Sequence, residues 1–427
     1  MQKKAPLSLV LNCGSSSLKF AIVDVAARKI LMNGLIECLG TKLDAAFEYR
    51  NGSVTAKGTL GPQDHFGALR HLLNYLTVNT SYAPHLTMIG HRVLHGGPEL
   101  VAPALINGAT IDAIKRYAIF GPLHNPANLS GIEAAQKAFP QLPQVAVFDT
   151  AFHQTMPDYA YSYALPYELS QKHKLRKYGF HGTSHHFVSQ EVLRVLKRPV
   201  KGSAMVIAHL GNGCSVSAVK DGKCLDTSMG LTPLEGLMMG TRSGDLDPSL
   251  ADYLIKNLNY TTDEVNTLLN KKSGLFGVSG ISSDMRSIIA ACKDGDKRAK
   301  LAFNMFCYRV AKYVASYTVP LKGLPLLVFT GGIGENSREA RAGIMQWLEG
   351  IGFKLDAKRN QTNGKTSKGV ITTPRCKQMA IIVPTNEELM IALETKEVVA
   401  KLLAARSTPR QDVKLKAAKL KGSTSLA

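Results

Sequence analysis

The sequence predicts an α/β protein assembled from two related halves. Apolar, strand-like runs alternate with helix-period segments along the chain, a pattern that layers helices on sheets. A strand–turn–strand design at the N-terminus recurs near residue 205. A third Gly-rich turn follows an apolar run near residue 326 and leads into a helical segment.

The first run is Leu7–Leu11, broken by Asn12-Cys-Gly-Ser-Ser-Ser17 and followed by Leu18–Val23 and Asp24. Two short apolar runs around a small-residue turn read as a β-hairpin. Val145–Phe148 is a further strand, with Asp149 at its end. Met205–Leu210, the turn Gly211-Asn-Gly-Cys-Ser215, the strand Val216–Val219 and Asp221-Gly222 repeat the opening design half a chain later. Asp247-Pro248 supplies an N-cap and a first-turn proline for a helix over Ser249–Leu258. Leu326–Thr330 is a further strand; Gly331-Gly-Ile-Gly-Glu-Asn-Ser337 is expected as the third Gly-rich turn, with a helix from Arg338. Glu387 and Glu388 follow Val383-Pro-Thr-Asn386 and open the helix Leu389–Thr395. The Lys/Ala/Ser-rich stretch Ser407–Ala427 is expected to be a frayed helix or disordered.

Composition narrows the function classes. At roughly 100–200 residues per domain, 427 residues suggest two or three domains. A 45% hydrophobic content excludes disorder as the dominant state. No run approaches the roughly 18 apolar residues of a membrane span. Leu7–Leu11, behind Lys3 and Lys4, is too short for a signal-peptide core, so a soluble cytoplasmic protein is expected. Seven scattered cysteines without a C-x-x-C pair fit reduced thiols. The net charge is +20, of which residues 401–427 carry seven bases against Asp412. No basic run is interleaved with aromatics and no zinc-finger or RNP signature occurs, which argues against nucleic acid. An anionic small molecule explains the charge at least as well.

Singly, each Gly-rich turn is an ordinary hairpin turn; three of them, two repeated, point to a phosphate cleft. The usual fingerprints fail. A P-loop at Gly364-Lys-Thr366 would need glycine where Arg359 stands. A dinucleotide motif fails at Gly332-Ile-Gly334 because of Ser337, and at Gly211-Asn-Gly213 because of Val216. His91-Arg-Val-Leu-His95 and His181-Gly-Thr-Ser-His185 have metal-compatible spacing but no H-E-x-x-H core, so zinc is not expected. His181 stands between glycines, where a ligand can approach the backbone. Arg92 precedes Gly96-Gly-Pro98, and Arg242 lies in Gly240-Thr-Arg-Ser-Gly-Asp245. Either is an anion clamp or a surface ion pair. Asp149 is a ligand-facing strand end or a cap. Glu387 and Glu388 also read as first-turn acids favoured by the helix dipole.

Seven motifs in order resemble the acetate kinases: Leu11-Asn-Cys-Gly-Ser-Ser-Ser-Leu-Lys-Phe20, His91-Arg-Val-Leu-His-Gly-Gly97, Phe148-Asp-Thr-Ala-Phe-His153, Tyr178-Gly-Phe-His-Gly-Thr-Ser-His185, His209-Leu-Gly-Asn-Gly213, Thr241-Arg-Ser-Gly-Asp-Leu-Asp-Pro248 and Gly332-Ile-Gly-Glu-Asn336. The resemblance covers residue 11 to about residue 395. It implies a duplicated actin-like, ribonuclease H-like fold of two lobes with an interlobe cleft. It also implies reversible, in-line phosphoryl transfer between ATP and acetate, giving acetyl phosphate and ADP. Mg²⁺ would be required, with Mn²⁺ as a possible replacement, and the enzyme would be a homodimer.

On this resemblance the N-terminal lobe spans 1–150 and is completed by a helix over 386–400. The nucleotide-binding lobe spans 151–385, and 401–427 is a flexible basic tail. Arg92 and Arg242 would bind the carboxylate and the phosphoryl in flight, His181 would donate to a phosphoryl oxygen, and Asp149 is the family's catalytic acid residue. Asn12 and Glu387 would organise the metal. Lys19, His209, Leu210, Gly211, Asn212, Gly213, Asp284, Met285, Arg286, Gly332, Ile333, Gly334, Glu335 and Asn336 would line the ATP site. Val93, Leu94, Leu123, Phe180 and Pro233 would hold the methyl group. The family often has Val-Val after the arginine, where this chain has Val93-Leu94. A carboxylate substrate with a pKa of about 4–5 is ionised at neutral pH and needs no general base. Asp149 is therefore expected to orient an arginine or the metal shell. Rival readings are a propionate or other short-chain carboxylate kinase, a non-catalytic nucleotide-binding regulator, and nucleic-acid binding through the tail.

Overall fold

The computed structural model describes residues 6–122, 124–323 and 326–407. Its strands are β1 (Leu7–Cys13), β2 (Ser17–Asp24), β3 (Lys29–Glu37), β4 (Ala45–Asn51), β5 (Val54–Leu60), β6 (Leu86–Val93), β7 (Ala104–Leu105), β8 (Gln144–Phe148), β9 (Ala204–Leu210), β10 (Cys214–Lys220), β11 (Lys223–Thr227), β12 (Leu326–Thr330) and β13 (Ala380–Ile382). They form an eight-stranded sheet, β5-β4-β3-β2-β1-β6-β8-β7, and a five-stranded sheet, β11-β10-β9-β12-β13.

The two sheets share one plan. β1 pairs antiparallel with β2 and parallel with β6, which pairs parallel with β8. β9 pairs antiparallel with β10 and parallel with β12, which pairs parallel with β13. The first sheet thus contains β3-β2-β1-β6-β8, and the second is β11-β10-β9-β12-β13, the same order built twice. This is the duplicated actin-like, ribonuclease H-like fold. Both expected hairpins form, with Asn12 opposite Lys19 and His209 opposite Ser215.

Alternation along the strands decides which side chains meet. In β1, Leu7, Leu9 and Leu11 pack on one face with the helix His65–Asn79, whereas Val10 faces the other way. In β9, Val206, Ala208 and Leu210 enter the outer core of the second sheet, and Met205 and Ile207 face inwards. Val10, Met88, Val145, Val147, Met205, Ile207 and Val328 share one core with Val188 and Val192 of the helix Gly182–Leu196 and with Leu389, Ile391 and Val399 of the helix Glu387–Ser407. These two helices therefore tie the sheets together. Continuing each strand by its period of two places Asn12 after Val10, Arg92 after Met88 and Gly90, Asp149 after Val147 and His209 after Ile207. All four point into the space between the sheets, at the C-terminal ends of parallel strands, where α/β ligands collect.

A glycine permits one of these crossings. A Cβ on Gly90 would overlap Thr395 and Ile391, so only glycine lets the helix Glu387–Ser407 cross β6 at this distance.

Two local expectations change. The stretch Gly331–Asn336 is a short helix and not an open turn. The Glu335 carboxylate accepts from Gly331 N–H at 2.9 Å and closes the helix on itself. Ahead of the helix Ser249–Leu258 it is Pro248 that occupies the cap position, while Asp247 accepts from Ser249 N–H at 2.9 Å. The C-terminal helix continues to Ser407, and residues 408–427 of the basic tail lie outside the described residues.

Candidate active site

Arg92, near the end of β6, and Asp149, just after β8, form a two-pronged ion pair. Arg92 Nε donates to Asp149 Oδ1 at 3.2 Å, and Nη2 donates to Oδ2. Burial works against the Arg92 charge, but the neighbouring carboxylates of Asp149 and Glu387 outweigh it and hold the guanidinium firmly protonated. Arg92 Nη1 also reaches Asn12 Oδ1 at 3.4 Å.

The helix Gly182–Leu196 starts against this pair. Gly182 N–H donates to the Asp149 carbonyl at 2.9 Å, and a Cβ on Gly182 would overlap that carbonyl. Thr183 Oγ1 donates to Asp149 Oδ1 at 3.2 Å. The residue before the helix, His181, is held in the left-handed region at φ 56° and ψ 25°. A non-glycine residue held there costs roughly 1–3 kcal/mol, which the surrounding contacts offset.

His181 Nδ1 lies 3.0 Å from Ser215 Oγ on β10, and its ring centroid lies 4.3 Å from that of His209, the two rings tilted by 32°. Burial, reinforced by His209, His185, Arg92 and Arg242, pushes the His181 pKa well below the usual imidazole range. Burial thus favours the neutral form of the His181 ring. A Cβ built on Gly213 would lie 3.2 Å from His181 Nε2 and 3.5 Å from Arg242 Nη1, so both side chains border one bare backbone position.

Arg242 makes no ion pair among the described residues. Its Nη1 donates to the Pro233 carbonyl at 3.2 Å and meets Met239 Sδ at 3.5 Å. Its pKa is lowered by burial. A half-buried guanidinium without a carboxylate is well suited to receiving an anion.

Asn12, Lys19, Arg92, Glu387 and Glu388 line a cleft of about 20 Å³, room for one ion or water. Burial drives the Glu387 carboxyl up to about 7, partly offset by Arg92 and reinforced by Asp149. A cation beside it would favour the charged form. No cluster of three His, Cys, Asp or Glu side chains occurs among the described residues. This donor set suits a hard cation that keeps most of its waters and leans on substrate phosphates.

Beyond Gly211 a larger cavity, about 710 Å³, is lined by Gly211, Asn212, Asp284, Met285, Arg286, Gly332, Ile333 and Asn336. Ser283, Ile289, Ser337 and Glu339 complete it and were not in the expected ATP set, although Ser337 ends the Gly-rich stretch read from the sequence. Its size suits a nucleotide. The other members of the expected ATP set lie apart from its wall. Lys19 belongs to the small cleft, and His209 and Leu210 are buried. Gly213 borders His181, and Gly334 is buried. Glu335 accepts from Gly331 N–H and Thr385 N–H, joining the short helix to the segment that leads to Glu387.

Of the expected methyl pocket, Leu94 and Phe180 share a core and Pro233 touches Arg242. Val93 points to the opposite face of β6, into a cluster with Phe148. Leu123 lies outside the described residues. His124 was missed by the sequence reading: after burial, its pKa is lowered by Arg92 and Arg242 and raised by Asp149, so it stands within the field of all three. Asn128 was missed too; its Oδ1 accepts from Leu94 N–H at 3.1 Å and its Nδ2 donates to the Cys13 carbonyl at 2.8 Å. Neither stands in a motif that chemistry alone would single out.

A family model described as the acetokinase family matches residues 7–393. An acetate kinase from Shewanella amazonensis is 50% identical over 397 residues, 92% of this chain and 99% of that protein. A crystal structure of a propionate kinase from Francisella tularensis is similar with a TM-score of 0.86 and 45% identity, covering 92% of this chain and 100% of that one. The Porphyromonas gingivalis acetate kinase structure gives a TM-score of 0.86 at 40% identity, with 92% and 100% covered. The chain belongs to the acetokinase family.

Proposed function

We propose that this enzyme transfers a phosphoryl group reversibly between ATP and acetate, by direct in-line displacement, in the cleft between the two sheets. The observation that carries the reading is the pairing of an anchored guanidinium with an unpaired one. Arg92 is gripped by Asp149, whereas Arg242 has only a carbonyl and a thioether for company. A fixed cation to orient a carboxylate and a free one to follow the moving charge are what a loose phosphoryl-transfer transition state needs.

In this reading ATP occupies the 710 Å³ cavity with its phosphates towards Gly211 and Asn212. Acetate lies with its carboxylate on Arg92 and its methyl group against Leu94, Phe180 and Pro233. The carboxylate oxygen attacks the γ-phosphorus, and the bond to the ADP oxygen breaks. Arg242 and the neutral His181 N–H donate to the equatorial oxygens as charge spreads over them. Asp149 holds Arg92 at its station; no proton needs to be removed from an acid that is already ionised. A divalent cation, Mg²⁺ with Mn²⁺ as a substitute, would be held by Asn12 and Glu387 and would neutralise phosphate charge. Residues 1–150 with the C-terminal helix would form one lobe and 151–385 the other.

The homodimer is part of the same proposal. The helix Ser249–Leu258 buries none of its residues, and Leu250, Tyr253, Ile255 and Leu258 are exposed on it. An apolar helix of this kind on the surface fits a second copy.

A propionate kinase is the second reading, favoured by the 45% identical Francisella tularensis structure bearing that name. Only the volume around Leu94 separates the two. Trapping acyl phosphate as hydroxamate, with acetate and propionate side by side, distinguishes them: more acetyl than propionyl hydroxamate supports the first, the reverse supports the second.

A further inference from the structure

His181 and His185 stand four residues apart, and among the described residues no group of three His, Cys, Asp or Glu side chains that could hold a metal includes them. What lies opposite them is a strand. Four residues of helix rise about 6 Å, and two residues of strand about 6.6 Å. The ladder His181/His185 therefore interleaves with the ladder Ser215/Ser217 on β10. The distances follow this order: Ser217 Oγ to His185 Nδ1 is 2.7 Å, His185 Nε2 to Ser215 Oγ is 2.7 Å, and Ser215 Oγ to His181 Nδ1 is 3.0 Å. His185, Ser215 and Ser217 are fully buried, so water does not compete for these bonds.

We infer that Ser217, His185 and Ser215 form a hydrogen-bond relay that fixes the tautomer of His181, so that its Nε2 carries the proton and faces the reacting phosphoryl group. Each hydroxyl has one hydrogen and each neutral imidazole has one N–H. If Ser217 donates to His185 Nδ1, the His185 proton must sit on Nε2 and be donated to Ser215. Ser215 then spends its own hydrogen on His181 Nδ1. The His181 proton is left on Nε2, the edge that borders Gly213 and Arg242. Run backwards, the relay would put the His181 proton on Nδ1 and turn a bare lone pair towards phosphoryl oxygens, which repel it. The direction matters because burial keeps both rings neutral. His185, Ser215 and Ser217 are positioning residues; none of them borders the reacting atoms.

This inference rests on the proposed role of His181, and the test separates the two. Long-range proton–nitrogen NMR of the full-length protein, with the His181 signals assigned by their loss in His181→Ala, reports the tautomer without reference to activity. The expected result is Nε2–H in the wild type and a mixture with Nδ1–H in Ser217→Ala. Ser217→Thr, which keeps the hydroxyl, is expected to restore the wild-type signal. In parallel, Ser217→Ala is expected to lower kcat about tenfold with both KM values within about twofold, as for one lost hydrogen bond. Nδ1–H in the wild type, or an unchanged tautomer in Ser217→Ala, overturns the relay. His181→Ala with undiminished kcat overturns the role of His181, whatever the tautomer.

Discussion

Asp149 meets Arg92 with both carboxylate oxygens, one on Nε and one on Nη2, and takes a third hydrogen bond from Thr183. A carboxylate so engaged is a clamp and not a free base. Asp149→Asn keeps the shape and removes the charge, leaving Arg92 without its main counter-ion. Removing one partner from a buried pair costs about 3–5 kcal/mol, so a lower Tm is expected together with a kcat reduced roughly 100- to 1,000-fold. Thermal denaturation and steady-state kinetics of the variant check both, and an undiminished kcat in Asp149→Asn would contradict the clamp.

Arg242 offers a free planar fork, and lysine cannot replace it. Arg242→Lys retains the charge but loses the paired donors. Its kcat is expected to stay at least about tenfold below wild type, and Arg242→Ala about 100-fold or more below. Steady-state kinetics with acetate and ATP check both. Full activity in the lysine variant would mean that charge alone suffices.

Leu94 is the residue on which substrate length should turn. Its amide is pinned by Asn128, and its side chain packs in one core with Phe180. One methylene in such a pocket is worth roughly 1–3 kcal/mol. Leu94→Ala is therefore expected to raise the propionate-to-acetate ratio of kcat/KM about tenfold or more. An unchanged ratio would place the selectivity elsewhere.

Acid lability should come from buried imidazoles. Burial holds His91, His95, His153 and His209 each at about 4, against an unfolded value of about 6.5. Between these values the unfolded chain binds more protons, so stability is complete above about pH 6.5 and is lost as pH falls towards 4. Glu387 acts oppositely with one proton, since burial raises it to about 7 in the folded state. His181 and His185 are likewise held neutral by burial, so at least six imidazoles oppose this one carboxyl and stability is expected to fall steeply as pH drops from about 6.5 towards 4. Urea denaturation at pH 5, 6 and 7 measures this slope. A flat profile would contradict the burial of these rings.

The exposed helix Ser249–Leu258 gives an association test. Tyr253 is 54% and Leu258 51% exposed. Tyr253→Asp with Leu258→Asp is expected to convert a dimer into monomers by light scattering, with the Tm of the monomeric unit little changed. A dimer that survives both substitutions lies on another face.

Much of this was legible in the sequence because turns and alternation are local. Both hairpins were found to within about two residues, since a cluster of Gly, Ser and Asn between apolar runs has few other uses. Period two along β1, β6, β8 and β9 explains why Asn12, Arg92, Asp149 and His209 converge. The strands β3–β5 were not read. β5 is an exposed edge with few apolar residues, and β3 mixes Lys29, Asn33 and Gly34 with its apolar positions. Gly331–Asn336 was read as a turn, because the bond from Glu335 back to Gly331 is invisible to composition. Ser215 and Ser217 carry no signal of their own; their partners lie about 30 residues away on another element.

The most direct measurement is acyl phosphate formation from ATP and Mg²⁺, trapped as hydroxamate, with acetate, propionate and butyrate and with Arg242→Ala as control. The expected result is turnover of acetate well above propionate, lost in the control. No acyl phosphate from any of the acids, with ATP still bound, would contradict phosphoryl transfer in this cleft.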